Sequence, residues 1–356
     1  MIFGDFMKEK VVSNKNYDVL DAFKCYLFLI IATLATSVVF SIVLNIIAGA
    51  SNMDSEVLAS TELVSVLSFI ISPVIFIVFF LCYNKKAKIK NRVAFSDGNK
   101  ISLLPISIAL VLAIISIFLF TPLMNFMQSL FETKGYNVDN SIPMQDKMAN
   151  SGLYFLLGLG VYALLPAIAE ELIFRGIIQK GLASRYNAFV AITLSSIMFV
   201  LVHGSLQQTL YQLVMGIMLG YLAHVGGSII YSMVLHFLNN ALVVVFSCFD
   251  IVGYISGKDV VYYNAFSVIF PIMLFLLGLV LVAILFWVLK YLRNKNFFRL
   301  DENGHFEKVE IDTNEIKKPG FKGMWKDMSS SEKIFMFISF GIVAFIWIVN
   351  TVSGFM

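Results

Sequence analysis

Apolar runs of about 20 residues, each long enough to cross the hydrocarbon core of a bilayer, recur along the whole chain. Lipid offers no partner to a backbone N–H or C=O, so such segments fold as helices that satisfy their own hydrogen bonds. The runs are continuously apolar and lack the alternation of a barrel strand, which excludes a transmembrane β-barrel. Only 14% of the residues are charged, against about a quarter in a soluble domain. The expected fold class is all-α: a polytopic transmembrane helical bundle.

Nine spans are predicted, at about 25–49, 63–83, 102–122, 152–174, 188–204, 207–224, 228–249, 266–289 and 334–353. They divide into about eight core spans and one additional C-terminal span. Lysine and arginine set the orientation, because cytoplasmic loops carry them in excess. Segments 1–24, 84–101, 175–187 and 290–333 hold 23 of the 26, and the opposite loops hold only Lys134, Lys147 and Lys258. The N-terminus is therefore expected in the cytoplasm.

The chain then parses into a cytoplasmic segment 1–24, N-terminal helices and a polar external loop over 25–150, and a core over 151–250. An eighth span fills 251–290, a cytoplasmic connector 291–333, and the last span 334–356. Ala48-Gly49-Ala50 has the look of a signal cleavage site. The apolar run before it, from about Cys25 to Ile47, is longer than the roughly 7–15 residues of a signal core, so it reads as a retained span. Within the connector, HFEKVEI has the alternation of a short strand. Cys25, Cys82 and Cys248 have neither metal-site nor disulfide spacing and read as small buried apolar residues. No basic and aromatic run suggests a nucleic-acid partner.

Ionisable side chains inside spans are expensive and raise a functional hypothesis by default. Here they fall into three short motifs: Glu170-Glu171-x-x-x-Arg175, Phe199-x-x-x-His203, and His236-x-x-Asn239-Asn240. Residues four apart share a helix face, so Glu171 can pair with Arg175 while Glu170, about 100° round the helix, faces elsewhere. Phe199 and His203 share a face in the same way, as do His236 and Asn240. Singly, each has a plain reading: Arg175 snorkels to the interface, and a histidine or asparagine bonds a neighbouring helix, as Asn239 is expected to do. Together on neighbouring spans they make a polar cluster suited to activating water. A carboxylate and an imidazole sharing a water can take its proton as it attacks a carbonyl. A second imidazole and an amide are the donor types that stabilise an oxyanion. No serine or cysteine nucleophile lies in the motifs, and there is no HExxH helix.

EELIFR, FVLVH and HFLNN resemble, in order and spacing, the EExxxR, FxxxH and HxxxN motifs of the CPBP intramembrane proteases. That family includes type II CAAX prenyl endopeptidases and the Abi, or bacteriocin-immunity, proteins. The resemblance covers about residues 150–250 and implies an intramembrane endopeptidase that hydrolyses a peptide bond. Glu170 and His203 would activate the water, and His236 and Asn240 would stabilise the oxyanion. Glu171, Arg175 and Phe199 would support them. The resemblance also leaves a metal open: Glu170, His203 and His236 would be the ligands of a divalent ion such as zinc. The implied partners are the lipid bilayer and a peptide or lipid-anchored protein, and the implied location is a bacterial plasma membrane. Rival readings are a non-catalytic immunity or partner protein and a proton-coupled transporter.

The spans as drawn leave one conflict. Glu170 falls near the inner end of its span, while His203 lies about 22 Å along the next. Their convergence requires span four to run on to Lys180 or Arg185, or span five to begin after residue 188; both are expected, because GIIQKGL continues the helical pattern and Gly181 looks like a cap.

Overall fold

The structure is a computed structural model and describes residues 16–59, 61–95, 102–136, 142–249, 265–295, 298–300, 306–308 and 318–355. The expectations for residues 1–15 and Lys258 lie outside the described residues, as do the first residue and the last three of HFEKVEI. Among the described residues nine long helices are present where nine spans are predicted: α1 Val19–Ser51, α2 Glu62–Ala87, α3 Leu103–Glu132, α4 Gly152–Arg185, α5 Ala188–His203, α6 Thr209–Gly226, α7 Ile229–Cys248, α8 Ala265–Lys295 and α9 Ser330–Ser353. Eight are long and apolar enough to cross a membrane, and α5, with 16 residues, is the shorter apolar ninth. Shorter helices described between them are Ser55–Ala59, Arg92–Phe95, Gln145–Asn150 and Phe321–Asp327.

The helices overrun several of the predicted spans. α1 begins at Val19, within the expected polar segment, where Asp18 and Asp21 form a reciprocal capping box. The expected external loop is partly helical, because α3 continues to Glu132 and a short helix covers Gln145–Asn150. In the connector, β1 (Phe298–Leu300) pairs antiparallel with β2 (Phe306–Lys308), so the alternation around Phe306 does form a strand.

Polar contacts collect at the two ends of the bundle as an alternating topology requires. At one end Tyr17 donates to Asn84 (2.8 Å), Tyr83 to Asp21 (2.7 Å), Ser228 to the Phe95 carbonyl (2.9 Å), and Arg185 forks onto Glu332 (2.8 and 3.0 Å). At the other, Lys147 pairs with Glu62, Gln145 donates to the Ser247 carbonyl (2.8 Å), and Phe355 packs edge-on against Tyr136.

α4 is the helix the others gather round, packing against α1, α2, α5 and α7. One apolar core lies among α1, α2, α4, α5 and α9, and a second among α3, α6, α7 and α8. α4 is not a uniform α-helix: Leu159–Leu164 and Leu172–Gln179 are π-helical, as is Ser116–Phe120 in α3. Two of these wide turns end two residues before a proline, at Pro122 and Pro166. A proline in a helix removes one hydrogen bond and crowds the carbonyl four residues back, and a π turn there relieves the crowding.

Gly181 is not a cap. It lies inside α4, which closes at Tyr186, and it is where α1 crosses closest: an added Cβ would sit 2.5 Å from the Asp18 carbonyl oxygen and 3.1 Å from Ala22 Cβ. Gly181→Ala is therefore expected to cost about 1–3 kcal/mol through overpacking. Gly49→Ala in α1, with nothing within 4 Å, is expected to be neutral or to gain about 0.5–1 kcal/mol of helix propensity. Thermal unfolding of the two variants in detergent, read side by side, checks the pair.

Candidate active site

α4 and α5 form a tight helical hairpin, with only Tyr186 and Asn187 between them, and the Asn187 side chain caps α5 by accepting from Val190 N–H (3.0 Å). Glu170 stands as far before this turn as His203 stands after it. The conflict in depth is thereby removed, and by one of the two expected routes. α4 does run on to Arg185, whereas α5 starts at Ala188 and no later.

α7 completes the site. Glu170 Oε2 lies 3.9 Å from His203 Nε2 and 3.8 Å from His236 Nε2, so three helices bring three functional atoms to one place. The His203 side chain is 28% exposed, that of Glu170 17% and that of His236 7%. The cluster is sheltered on the α4 and α7 sides and accessible on the α5 side.

The opposite ring nitrogens are occupied. His203 Nδ1 lies 2.7 Å from the Phe199 carbonyl oxygen and His236 Nδ1 lies 3.2 Å from Glu171 Oε1. Both partners are acceptors, so each Nδ1 carries a proton; Nε2 is then a lone-pair acceptor on a neutral ring and a donor on an imidazolium. Glu170 Oε2 is buried and, among the described residues, has no hydrogen-bond partner. Glu170 Oε2 and the two Nε2 atoms thus face one another, an arrangement that a proton, a water or a cation would satisfy.

A carboxylate oxygen and two imidazole nitrogens whose far sides are held by an acceptor suit zinc in chemical type. Their spacing suits it less: tetrahedral ligands at about 2.0–2.1 Å from zinc lie about 3.3 Å from one another. Among the described residues no group of three or more His, Cys, Asp or Glu is arranged to hold a metal ion.

Beneath the cluster lies a buried support. Glu171 and Arg175 are fully buried and paired, with Nε 3.4 Å from Oε2. The guanidinium also donates from Nη2 to the Gly216 carbonyl of α6 (3.1 Å) and lies 4.8 Å from the centre of the Phe199 ring. That ring in turn contacts His203, His236 and Phe174 at centroid distances of 4.6, 6.0 and 5.2 Å. Phe199 therefore acts as a spacer between the guanidinium and both imidazoles. One turn further on, Gln179 donates to the Gly220 carbonyl (2.8 Å) and its Oε1 accepts from Ser195 (3.3 Å). α6 presents these carbonyls because Gly216 and Gly220 let it approach closely. An added Cβ at Gly216 would meet Ser196 at 3.0 Å, and one at Gly220 would meet Gln179 Oε1 at 2.7 Å.

Asn240 lies one helical turn beyond His236 on α7 and is bonded to its neighbour: Asn239 Nδ2 donates to Asn240 Oδ1 at 3.4 Å. Asn239 is buried and accepts from the Tyr211 hydroxyl of α6.

Residues 152–242, from the start of α4 into α7, match the family model described as Rce1-like: Type II CAAX prenyl endopeptidase Rce1-like. The chain carries a CPBP-family core. No curated protein and no solved structure matches the chain. The matched CPBP core contains every site residue described above, from Glu170 to Asn240, while α1, α2, α3, α8 and α9 lie outside the match. The family is one of membrane-embedded endopeptidases, and the chain is an integral, multi-pass membrane protein by its eight long apolar helices.

Three features of the CPBP core go beyond the sequence reading. Glu171 serves two partners, Arg175 and His236, where the i, i+4 spacing pointed to Arg175 alone. Gln179 and the Gly216-x-x-x-Gly220 pair lie outside the three sequence motifs, since neither carries chemistry that singles it out. Tyr211 had no signal at all, because a tyrosine in an apolar span is unexceptional.

Arg175→Met is expected to cost about 3–5 kcal/mol, since it strands the buried Glu171 carboxylate without its counter-charge. Adding Glu171→Gln, which keeps an acceptor for His236 Nδ1 and removes the charge, is expected to recover most of that loss. Thermal unfolding of the single and double variants in detergent reads the difference.

Proposed function

We propose that the protein is an intramembrane endopeptidase that cleaves a peptide bond with water activated by Glu170. The observation that carries this reading is the meeting of Glu170 Oε2 with the Nε2 atoms of His203 and His236, which places a carboxylate and an imidazole where one water could donate to both, with a second imidazole beside them. In this reading the water donates to Glu170 and to His203 and attacks the carbonyl carbon, its proton passing to Glu170. His236, whose Nδ1–H is committed to Glu171, serves the oxyanion as an imidazolium, donating from Nε2. The Glu171 carboxylate supports that charge as a triad's acid supports its histidine. Asn240 Nδ2 is the second donor. When the tetrahedral intermediate collapses, the C–N bond breaks and Glu170 returns its proton to the leaving amine.

The family description supports a CAAX-protease-like activity and a protein substrate, and a lipid-anchored tail is the substrate class we infer. Lys and Arg at the Asp18, Lys85 and Arg185 end support a cytoplasmic N-terminus. The runner-up, a non-catalytic immunity or partner protein, needs neither the convergence of Glu170 with two imidazoles nor their fixed tautomers.

The test is cleavage of a membrane-peptide library by the purified protein beside Glu170→Gln and His203→Ala, each with and without a strong chelator. Each variant is expected to lose about 10²–10⁴-fold in rate, the usual contribution of a positioned acid or base. The chelator lane reads any dependence on metal directly. Cleavage that survives both substitutions would overturn the mechanism, and full biological function in Glu170→Gln would favour the partner-protein reading.

A further inference from the structure

Among the described residues the hydroxyl of Tyr211, half-buried on α6, has one hydrogen-bond partner, Asn239 Oδ1. If the hydroxyl accepted from the asparagine amide instead, its own proton would be left without an acceptor in a buried setting, so the hydroxyl donates. That choice fixes the rest. Asn239 has its carbonyl toward Tyr211 and therefore its amide nitrogen toward Asn240, whose Oδ1 accepts at 3.4 Å. With Oδ1 engaged on that side, the Asn240 amide presents its Nδ2 donors on the other.

We infer that Tyr211 is a positioning residue, which through Asn239 aims the Asn240 amide donors at the site where an oxyanion forms. The chain runs from O–H to C=O, and from N–H to C=O, in one direction only, and each bond polarises the next. It supplies what an asparagine donor in a bundle otherwise lacks: a reason for its amide not to turn over and present the carbonyl. Asn239, read from sequence as interhelical packing, becomes the middle link. Tyr211 lies outside all three sequence motifs, and it ties α6 to α7 at the level of the reacting groups, as Arg175 ties α4 to α6.

This inference rests on the hydrolytic reading, and the experiment separates the two. Steady-state cleavage is measured for the wild type, Tyr211→Phe, Asn240→Ala and the double variant, with the thermal midpoint of each in detergent. Tyr211→Phe removes one oxygen and keeps the ring. It is expected to lower kcat about tenfold with KM within about twofold of the wild type, the loss expected for one hydrogen bond in a polarised chain. In the Asn240→Ala background the same change is expected to have no further effect on kcat, because the donor it orients is gone. Losses that multiply in the double variant would overturn the inference and assign Tyr211 a structural role, as would a fall in thermal midpoint that accounts for the loss. Wild-type kcat in Tyr211→Phe, with Asn240→Ala impaired, would overturn the inference alone. Wild-type kcat in Asn240→Ala would instead remove Asn240 from the mechanism, and the inference with it.

Discussion

A carboxylate and a guanidinium, both fully buried in a lipid-spanning bundle, must satisfy one another or not be there. The pairing of Glu171 with Arg175 is the constraint on which the rest of the site depends. It holds Arg175 against the Gly216 carbonyl and the Phe199 ring, and through that ring it sets the places of both histidines. It also leaves Glu171 Oε1 in place as the acceptor for His236 Nδ1. Such a pair adds little net stability, since desolvation offsets most of the attraction. What it supplies is placement, binding α4, α5, α6 and α7 to one arrangement.

The nine helices and the three polar motifs were legible because their causes are local. Apolar length marks a span whatever surrounds it, and residues four apart share a face in any helix. The helix ends were less legible. The start of α1 lies in sequence polar enough to read as loop and is helical because capping and tertiary contact hold it, whereas the run of α4 past Phe174 is legible in GIIQKGL, which continues the helical pattern. Gly181 shows the same limit: a glycine near a helix end suggests a cap, and only the position of Asp18 on another helix reveals a crossing point instead. The His236 link to Glu171 spans 65 residues of chain, and no spacing rule reaches that far.

The matched core is one compact piece of a larger bundle. α4 to α7 carry the candidate chemistry, while α1, α2 and α9 cover α4 and α5 on one side, and α3 and α8 cover α6 and α7 on the other. α9 is joined to the core by the Arg185 fork onto Glu332 at one end, and by Asn350 beside Gly204 at the other. Gly204 directly follows His203 and has positive φ (62°), so a helix outside the matched core touches the backbone that ends the α5 arm.

The equal arms of the α4–α5 hairpin make it a measuring device. One residue added between Glu170 and Tyr186 would move Glu170 about 1.5 Å along its axis and swing it about 100° round it, out of step with His203. The chain can absorb such a change only by a matching residue in the other arm or by a further π turn, which takes up one residue without reversing a face. α4 already contains two such turns, one of them between Glu170 and the hairpin. Over that stretch, length is under tighter control than side-chain identity, and conservative exchanges among apolar residues should be tolerated where a single insertion or deletion is not.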